Sequence, residues 1–266
     1  MAEQIGQLEA QFLAYAQMRR WTKVRTGDLR KPLRLSADQE RKLLSRLAQS
    51  GMIARVWRGL YLVPPTLPLG GKWSPDIGLA LATLMEAHDG RYQVCGPNAF
   101  NRYGFDEQIP NRVYAYNNRL SGDRRIGALE LTLIKVADSR LGATEVARST
   151  EGPPVIYCSR ARTLIDAVYD WSRFDGLPRA YGWIRRELSN QRVTASQLVS
   201  LTLEFADRGT IRRIGALLER EGVSERLLRK LEQAISTTTG PVPWIPRLPK
   251  RGVVDHRWGV VWNGEA

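Results

Sequence analysis

Histidine, cysteine and long apolar runs are scarce in this chain of 266 residues, and each scarcity removes a class of function. The two cysteines, Cys95 and Cys158, lie in no CxxC pair and in no Cys/His cluster, so neither a disulfide framework nor a zinc site is expected. Both read as small buried apolar residues in a reducing cytoplasm. The two histidines, His88 and His256, have no metal-ligand spacing. Neither a Gly-x-x-x-x-Gly-Lys phosphate loop nor a Gly-x-Ser-x-Gly nucleophile elbow occurs. No apolar stretch reaches the length of a membrane span, and Met1 is followed by acidic and polar residues rather than by a secretory leader. The expectation is a cytoplasmic, non-enzymatic protein with no cofactor, no metal and no membrane partner.

Positive charge is abundant. A hydrophobic content of 43% with 25% charged residues is ordinary for a globular protein, but a net charge of +13 is not. Residues 1–66 carry twelve Lys and Arg against five Asp and Glu, a net of +7, which leaves +6 for the other 200 residues. The excess is densest where binding to phosphates by counterion release would need it.

That basic segment has the grammar of a winged helix-turn-helix. Leu8 to Met18 reads as a first helix, followed by a basic connection through Arg19, Arg20, Lys23 and Arg25. A short element at 26–30 and a turn containing Pro32 precede Ser36-Ala37-Asp38-Gln39, which has capping-box spacing. The spacing predicts a helix from there to Gln49, stopped by Gly51. Met52–Val56 and Leu60–Val63, joined by Trp57-Arg58-Gly59, read as a hairpin, the wing. On a helical wheel Leu43, Leu44, Leu47 and Ala48 share one arc, with Ala37 and Glu40 near it. Asp38, Gln39, Lys42, Ser45, Arg46 and Gln49 share the other. Lys and Arg can donate to guanine or phosphate, and Gln can contact adenine through two bonds. The candidate DNA-contacting residues are Arg25, Arg30, Lys31 and Arg34 before the helix, Gln39, Lys42, Ser45, Arg46 and Gln49 on it, and Arg55, Trp57 and Arg58 at the wing. An amphipathic helix alone more often has a merely solvated polar face; the turn, capped helix and arginine-tipped hairpin in series favour double-stranded DNA.

Pro64-Pro65, Pro68 and Gly70-Gly71 break the pattern, which places a boundary between a domain at 1–70 and a larger one at 71–266. The second begins at Ser74-Pro75-Asp76 with a capped helix to about Ala87. Strand-like runs follow at Gln93–Cys95, Arg112–Tyr116, Ile126–Val136 and Val155–Tyr157, with a turn at Ser121-Gly122-Asp123. Amphipathic helices are expected at about 161–171, 178–188, 195–206, 210–221 and 225–235, then a proline- and tryptophan-rich tail from about 240, whose Trp244, Trp258 and Trp262 should pack back. The fold class expected is α/β of the α+β type, a winged helix-turn-helix followed by a mixed domain with a small sheet and a helical C-terminal region.

Three motifs in order resemble one family. Arg58-Gly59-Leu60-Tyr61-Leu62-Val63-Pro64 is similar to the wing that closes the N-terminal domain of AbiEi-type antitoxins of abortive-infection, type IV toxin-antitoxin systems. Ser159-Arg160-Ala161-Arg162-Thr163-Leu164-Ile165-Asp166 and Arg212-Arg213-Ile214-Gly215-Ala216-Leu217-Leu218-Glu219 resemble two later helix blocks of that family. The resemblance covers nearly the whole chain. It implies an antitoxin that represses its own operon at inverted repeats in promoter DNA and neutralises a nucleotidyltransferase-like toxin encoded beside it.

The residues themselves weigh differently. Arg162 and Asp166 can pair across one helical turn, and Arg212 and Arg213 can pair with Glu219 or Glu204 or form part of a basic surface; structural roles are the better reading of both sets. A one-component repressor with a ligand-binding second domain remains as an alternative. A DNA nuclease is the third reading, with Asp123, Glu130 and Asp138 as its only evident carboxylates, lacking the close Glu-x-Lys pairing of metal-assisted phosphodiesterases.

Overall fold

The structure, a computed structural model, describes residues 6–66, 72–149, 152–235 and 240–264. The expected linker at Pro68 and Gly70-Gly71 lies outside the described residues. In chain order the elements are α1 (Gln7–Met18), β1 (Lys23–Arg25), α2 (Ala37–Gln49), β2 (Ala54–Trp57), β3 (Leu60–Leu62), α3 (Ile77–Glu86), β4 (Tyr92–Val94), α4 (Gly96–Arg102), β5 (Val113–Asn117), β6 (Gly122–Ile126) and β7 (Leu129–Lys135). A 3-10 turn at Asp138–Arg140 leads to β8 (Thr144–Ala147), β9 (Val155–Cys158), α5 (Arg160–Tyr169), α6 (Trp171–Phe174), α7 (Arg179–Ser189), α8 (Ala195–Phe205), α9 (Arg208–Arg220), α10 (Glu225–Gln233), β10 (Val242–Pro243), β11 (Val253–Asp255) and β12 (Val260–Trp262). This is a mixed fold of the α+β type, as expected. Among the described residues no helix is long and apolar enough to cross a membrane.

The chain gathers into two compact units, and the division is not a single cut near residue 70. The first unit is Met1–Tyr92, Asn111–Val136 and Val146–Ile156; the second is Gln93–Pro110, Ala137–Glu145 and Tyr157–Ala266.

In the first unit, Phe12, Leu13, Leu29, Leu43, Leu44 and Leu47 close a small core with Val24, Tyr61 and Val63. The three strands pair antiparallel in the order β1-β3-β2, with Val24 opposite Tyr61 and Lys23 opposite Leu62. Strand β1 falls where a basic connection was expected, because one buried valine between two exposed cations is too short a pattern to read as a strand. Residues opposite one another share a face, so Val24 and Tyr61 enter the helical core while Lys23, Leu62 and Ala54 face the other way. That second face is occupied. Strand β2 packs against α3 and β6, and a Cβ on Gly127 in the β6–β7 turn would lie 3.3 Å from Ala54 Cβ. The segments after residue 70 therefore cover the second face of the wing sheet, which is why they cluster with the winged helix.

Strand β7 runs parallel to β5 and antiparallel to β6. The single strand expected at Ile126–Val136 breaks at Gly127, in the left-handed region at φ 61°, and the expected turn at 121–123 instead opens β6. Helix α3 starts two residues later than expected. Asp76, not Ser74, caps it, accepting from the N–H groups of Gly78 and Leu79.

The second unit is built around α5, which packs against α4, α7, α8 and α9 and is buried from Ala161 to Val168. Strand β4 pairs parallel with β9 through Val94 and Tyr157. Arg162 and Asp166, expected to pair across one helical turn, are 0% and 1% exposed. Arg162 Nε donates to Asp166 Oδ1 at 2.9 Å, Arg140 donates to the same oxygen at 3.2 Å, and the Arg162 guanidinium lies 3.8 Å from the Phe205 ring.

The tail is a small sheet of its own, in the order β10-β12-β11, seated on α9. Arg212 and Arg213 do not pair with Glu219 or Glu204. Arg212 Nε donates to the Trp258 carbonyl at 2.7 Å and Arg213 Nε to the Pro243 carbonyl at 3.0 Å. A Cβ on Gly215 would lie 2.2 Å from the Trp258 ring, so glycine makes the seat for that indole, whose N–H donates to Glu219 at 2.7 Å. Trp244 and Trp258 are buried, as expected, and Trp262 leans on Trp244 at 4.6 Å.

Candidate nucleic-acid interface

Helix α2 is capped as its spacing predicts: the Ser36 hydroxyl accepts from Gln39 N–H at 3.2 Å, and Gln39 Oε1 accepts from Ser36 N–H at 2.8 Å. Of its inward residues Glu40, Leu43, Leu44 and Leu47 are buried and Ala48 is half-buried, whereas Ala37 is exposed, as are Gln39, Lys42, Ser45, Arg46 and Gln49. Lys42 lies three and four residues before Ser45 and Arg46, and Gln49 lies four and three after them, so all four share one face. The only carboxylate outward on this helix is Asp38, which pairs with Arg41. That hydrogen bond, and then the guanidinium charge, hold the Asp38 carboxyl below the usual range, so it stays ionised and neutralised within the helix.

The candidates differ in how far they are committed within the protein. Gln39 gives its oxygen to the capping box, which removes the acceptor half of a two-bond adenine contact. Arg46 is held at 2.9 Å by Glu9 of α1, whereas Lys42 makes no ion pair among the described residues. Arg30 Nε donates to Glu40 Oε2 at 3.1 Å. Glu40 itself was placed only near the apolar arc, and its role was missed. It is 0% exposed, and its other oxygen accepts from Gly27 and Leu29 N–H at 2.8 and 2.9 Å. A charge inside an apolar helix face thus ties the turn at 26–34, with exposed Lys31 and Arg34, to α2. The one sequence signal for it was a carboxylate on the wrong arc.

The wing brings a second group together. Gly59, at φ 74°, lets β2 turn tightly into β3, and Thr26 N–H donates to its carbonyl at 2.9 Å, which sets Arg25 beside the Arg58-Gly59 turn. Arg25, Arg55 and Arg58 are exposed. Trp57, expected at the tip as a DNA contact, has its ring edge-on to His88 at 4.4 Å with the Arg124 guanidinium 4.7 Å from its centre. The ring is 38% exposed and braces the wing. His88 is itself fixed, its Nδ1 donating to the Leu84 carbonyl at 2.8 Å; a carbonyl can only accept, which sets the tautomer. Lys23 of the basic connection is drawn off to Glu86 at 2.7 Å, and that bond holds the Glu86 carboxyl low.

Gln49 and Arg55 meet at a cleft of about 370 Å³, where Lys72 and Arg125 join them. Lys72 and Arg125 were not among the sequence candidates, since 53 positions separate them and no local pattern marks either.

Two of the carboxylates considered for a nuclease are engaged elsewhere in the first unit: Arg112 donates to Asp123 at 2.6 Å and to Glu130 at 3.3 Å, and Thr132 donates to Asp123 at 2.9 Å. Asp138 belongs to the second unit. Among the described residues no group of three His, Cys, Asp or Glu side chains is placed to hold a metal ion.

No family model matches the chain, and no curated protein sequence does. Among solved structures the chain is similar to the crystal structure of the RV2827C protein from Mycobacterium tuberculosis, with a TM-score of 0.56 at 15% identity over 97% of this chain and 92% of that one. Identity that low is a likeness of fold, and it extends over both units.

Proposed function

We propose that this protein is a DNA-binding antitoxin that represses its own promoter and neutralises a nucleotidyltransferase-like toxin. The observation that carries the DNA half is the outward face of α2, where Lys42, Ser45, Arg46 and Gln49 stand beside a single, already neutralised carboxylate. Such a face can donate to guanine O6 and N7 and to phosphates, and Gln49 can still offer both halves of its amide. The exposed Arg25, Arg55 and Arg58 at the wing supply phosphate or minor-groove contacts. No catalytic step is part of this reading.

The antitoxin half rests on the three motifs. Each has a concrete task in the fold: the first forms the wing turn, the second caps and charges the core of α5, and the third seats the tail. Residues with such tasks would mark a shared architecture, which supports the resemblance. Footprinting the full chain on the DNA upstream of its own gene should give a protected inverted repeat. Co-expression with the neighbouring gene product should relieve that product's toxicity, and K42A/R46A should lose the footprint yet still relieve toxicity. A footprint without any relief would leave a one-component repressor. That second reading has its own support in a cavity of about 380 Å³ in the second unit, lined by Glu145, Arg160, Arg192, Gln197 and Ser200, which is within the usual size for a small-molecule site.

A further inference from the structure

Among the described residues, the cleft between α2, β2 and the β6–β7 turn is lined by three cations and no carboxylate. Its polar lining is Gln49, Arg55, Lys72 and Arg125, around the backbone of Gly51 and Gly127. Three like charges gathered this way repel one another, and an anion between them relieves that repulsion.

The arrangement is built by three separate segments. Gly51, at φ 78°, ends α2, and its carbonyl accepts from Trp73 N–H at 2.8 Å; a Cβ there would lie 3.1 Å from Lys72 Cγ. Lys72 is thereby pinned to the C-terminal end of α2. Arg125 donates its Nε to the Gly127 carbonyl at 3.0 Å, which orients the guanidinium and leaves its two terminal nitrogens to be used. The turn that carries it lies against Ala54 of β2, the neighbour of Arg55. All three cations are exposed, and Gln49 belongs both to this cleft and to the outward face of α2.

We infer that Arg55, Lys72 and Arg125 hold successive backbone phosphates of DNA beyond the C-terminal end of α2, so that the DNA-binding surface extends past the winged helix onto β6. This rests on the DNA-binding reading above. A polyanion suits the site better than a lone anion because the cations line a surface continuous with the α2 face, and a strand crossing that face would place its next phosphates at Arg55, Lys72 and Arg125.

The test uses the full chain and a labelled duplex of about 30 base pairs of random sequence, with affinity followed by anisotropy across a potassium chloride series. K72Q/R125Q keeps much of the side-chain bulk and removes both charges; the slope of log affinity against log salt should fall by about two, and K72R/R125K should keep it. An unchanged slope in K72Q/R125Q, with a wild type that binds, overturns this extension of the surface and leaves the α2 reading intact. An equal loss in both pairs assigns the effect to packing and also overturns it. A wild type without salt-dependent binding removes the DNA reading and the extension together. Inorganic phosphate is the remaining arm: if it stabilises the wild type against heat through these residues while the DNA slope does not change, the site takes a free anion instead.

Discussion

Replacing Glu40 should destabilise the winged helix more than any exposed substitution on the same helix, and the structure says by how much. The carboxylate is fully buried and accepts three bonds, from Gly27 N–H, Leu29 N–H and Arg30 Nε. Leu29 is 0% exposed, so its stranded N–H should cost about 1 to 3 kcal/mol. Gly27 is exposed and the Arg30 side chain is 48% exposed, so water replaces much of what they lose, and each should contribute roughly 0.5 kcal/mol. E40A is therefore expected to cost about 3 kcal/mol. E40Q should cost about 1 kcal/mol, because its amide oxygen still accepts both backbone N–H groups while its NH2 meets Arg30 donor to donor. Urea unfolding followed by far-UV circular dichroism gives the ranking, and hydrogen exchange at residues 27–29 locates the loss. Both variants should also bind DNA more weakly, since the turn carrying Arg30, Lys31 and Arg34 is no longer tied to α2. Equal stability of E40A and wild type, or E40Q no better than E40A, would refute the three-bond account.

Lys42→Ala should weaken binding by about 1 to 3 kcal/mol if the residue reads a base and should relax preference at one position of the site, which a competition assay against single-base operator variants measures. Glu9→Gln removes the ion pair that holds Arg46; it should strengthen binding to random DNA in the same anisotropy assay, and weaker binding would mean that Glu9 positions Arg46 productively. Gly215→Ala forces a methyl into the Trp258 ring and should cost about 3 kcal/mol, seen as a lower melting temperature and a red-shifted tryptophan emission as the tail lifts; an unshifted emission would contradict the seat. Asp166→Ala leaves Arg162 buried without its charge partner and should cost about 3 to 5 kcal/mol by urea unfolding, a large loss that a surface pair could not produce.

Local spacing in the sequence was enough for the longer helices, though not for the short α4, and for the outward set on α2, because a helix brings residues three and four apart onto one face whatever surrounds it. The Ser36 and Gln39 capping box, the Gly51 stop and the Arg58-Gly59 turn were legible for the same reason: each is settled within a few residues of chain. Tertiary structure alone decided which of the outward cations are committed elsewhere, since Glu9, Glu40 and Glu86 reach Arg46, Arg30 and Lys23 from other elements. It also decided that Trp57 braces the wing, that Arg212 and Arg213 bind tail carbonyls, and that Arg162 and Asp166 are buried. The extent of the first unit belongs with these. A Pro/Gly-rich stretch marks where a chain can bend, but a core is closed by whichever apolar faces meet, and here the open face of the wing sheet is met by α3 and the β6–β7 turn. Periodicity reports that a face needs covering; only the packed structure says what covers it.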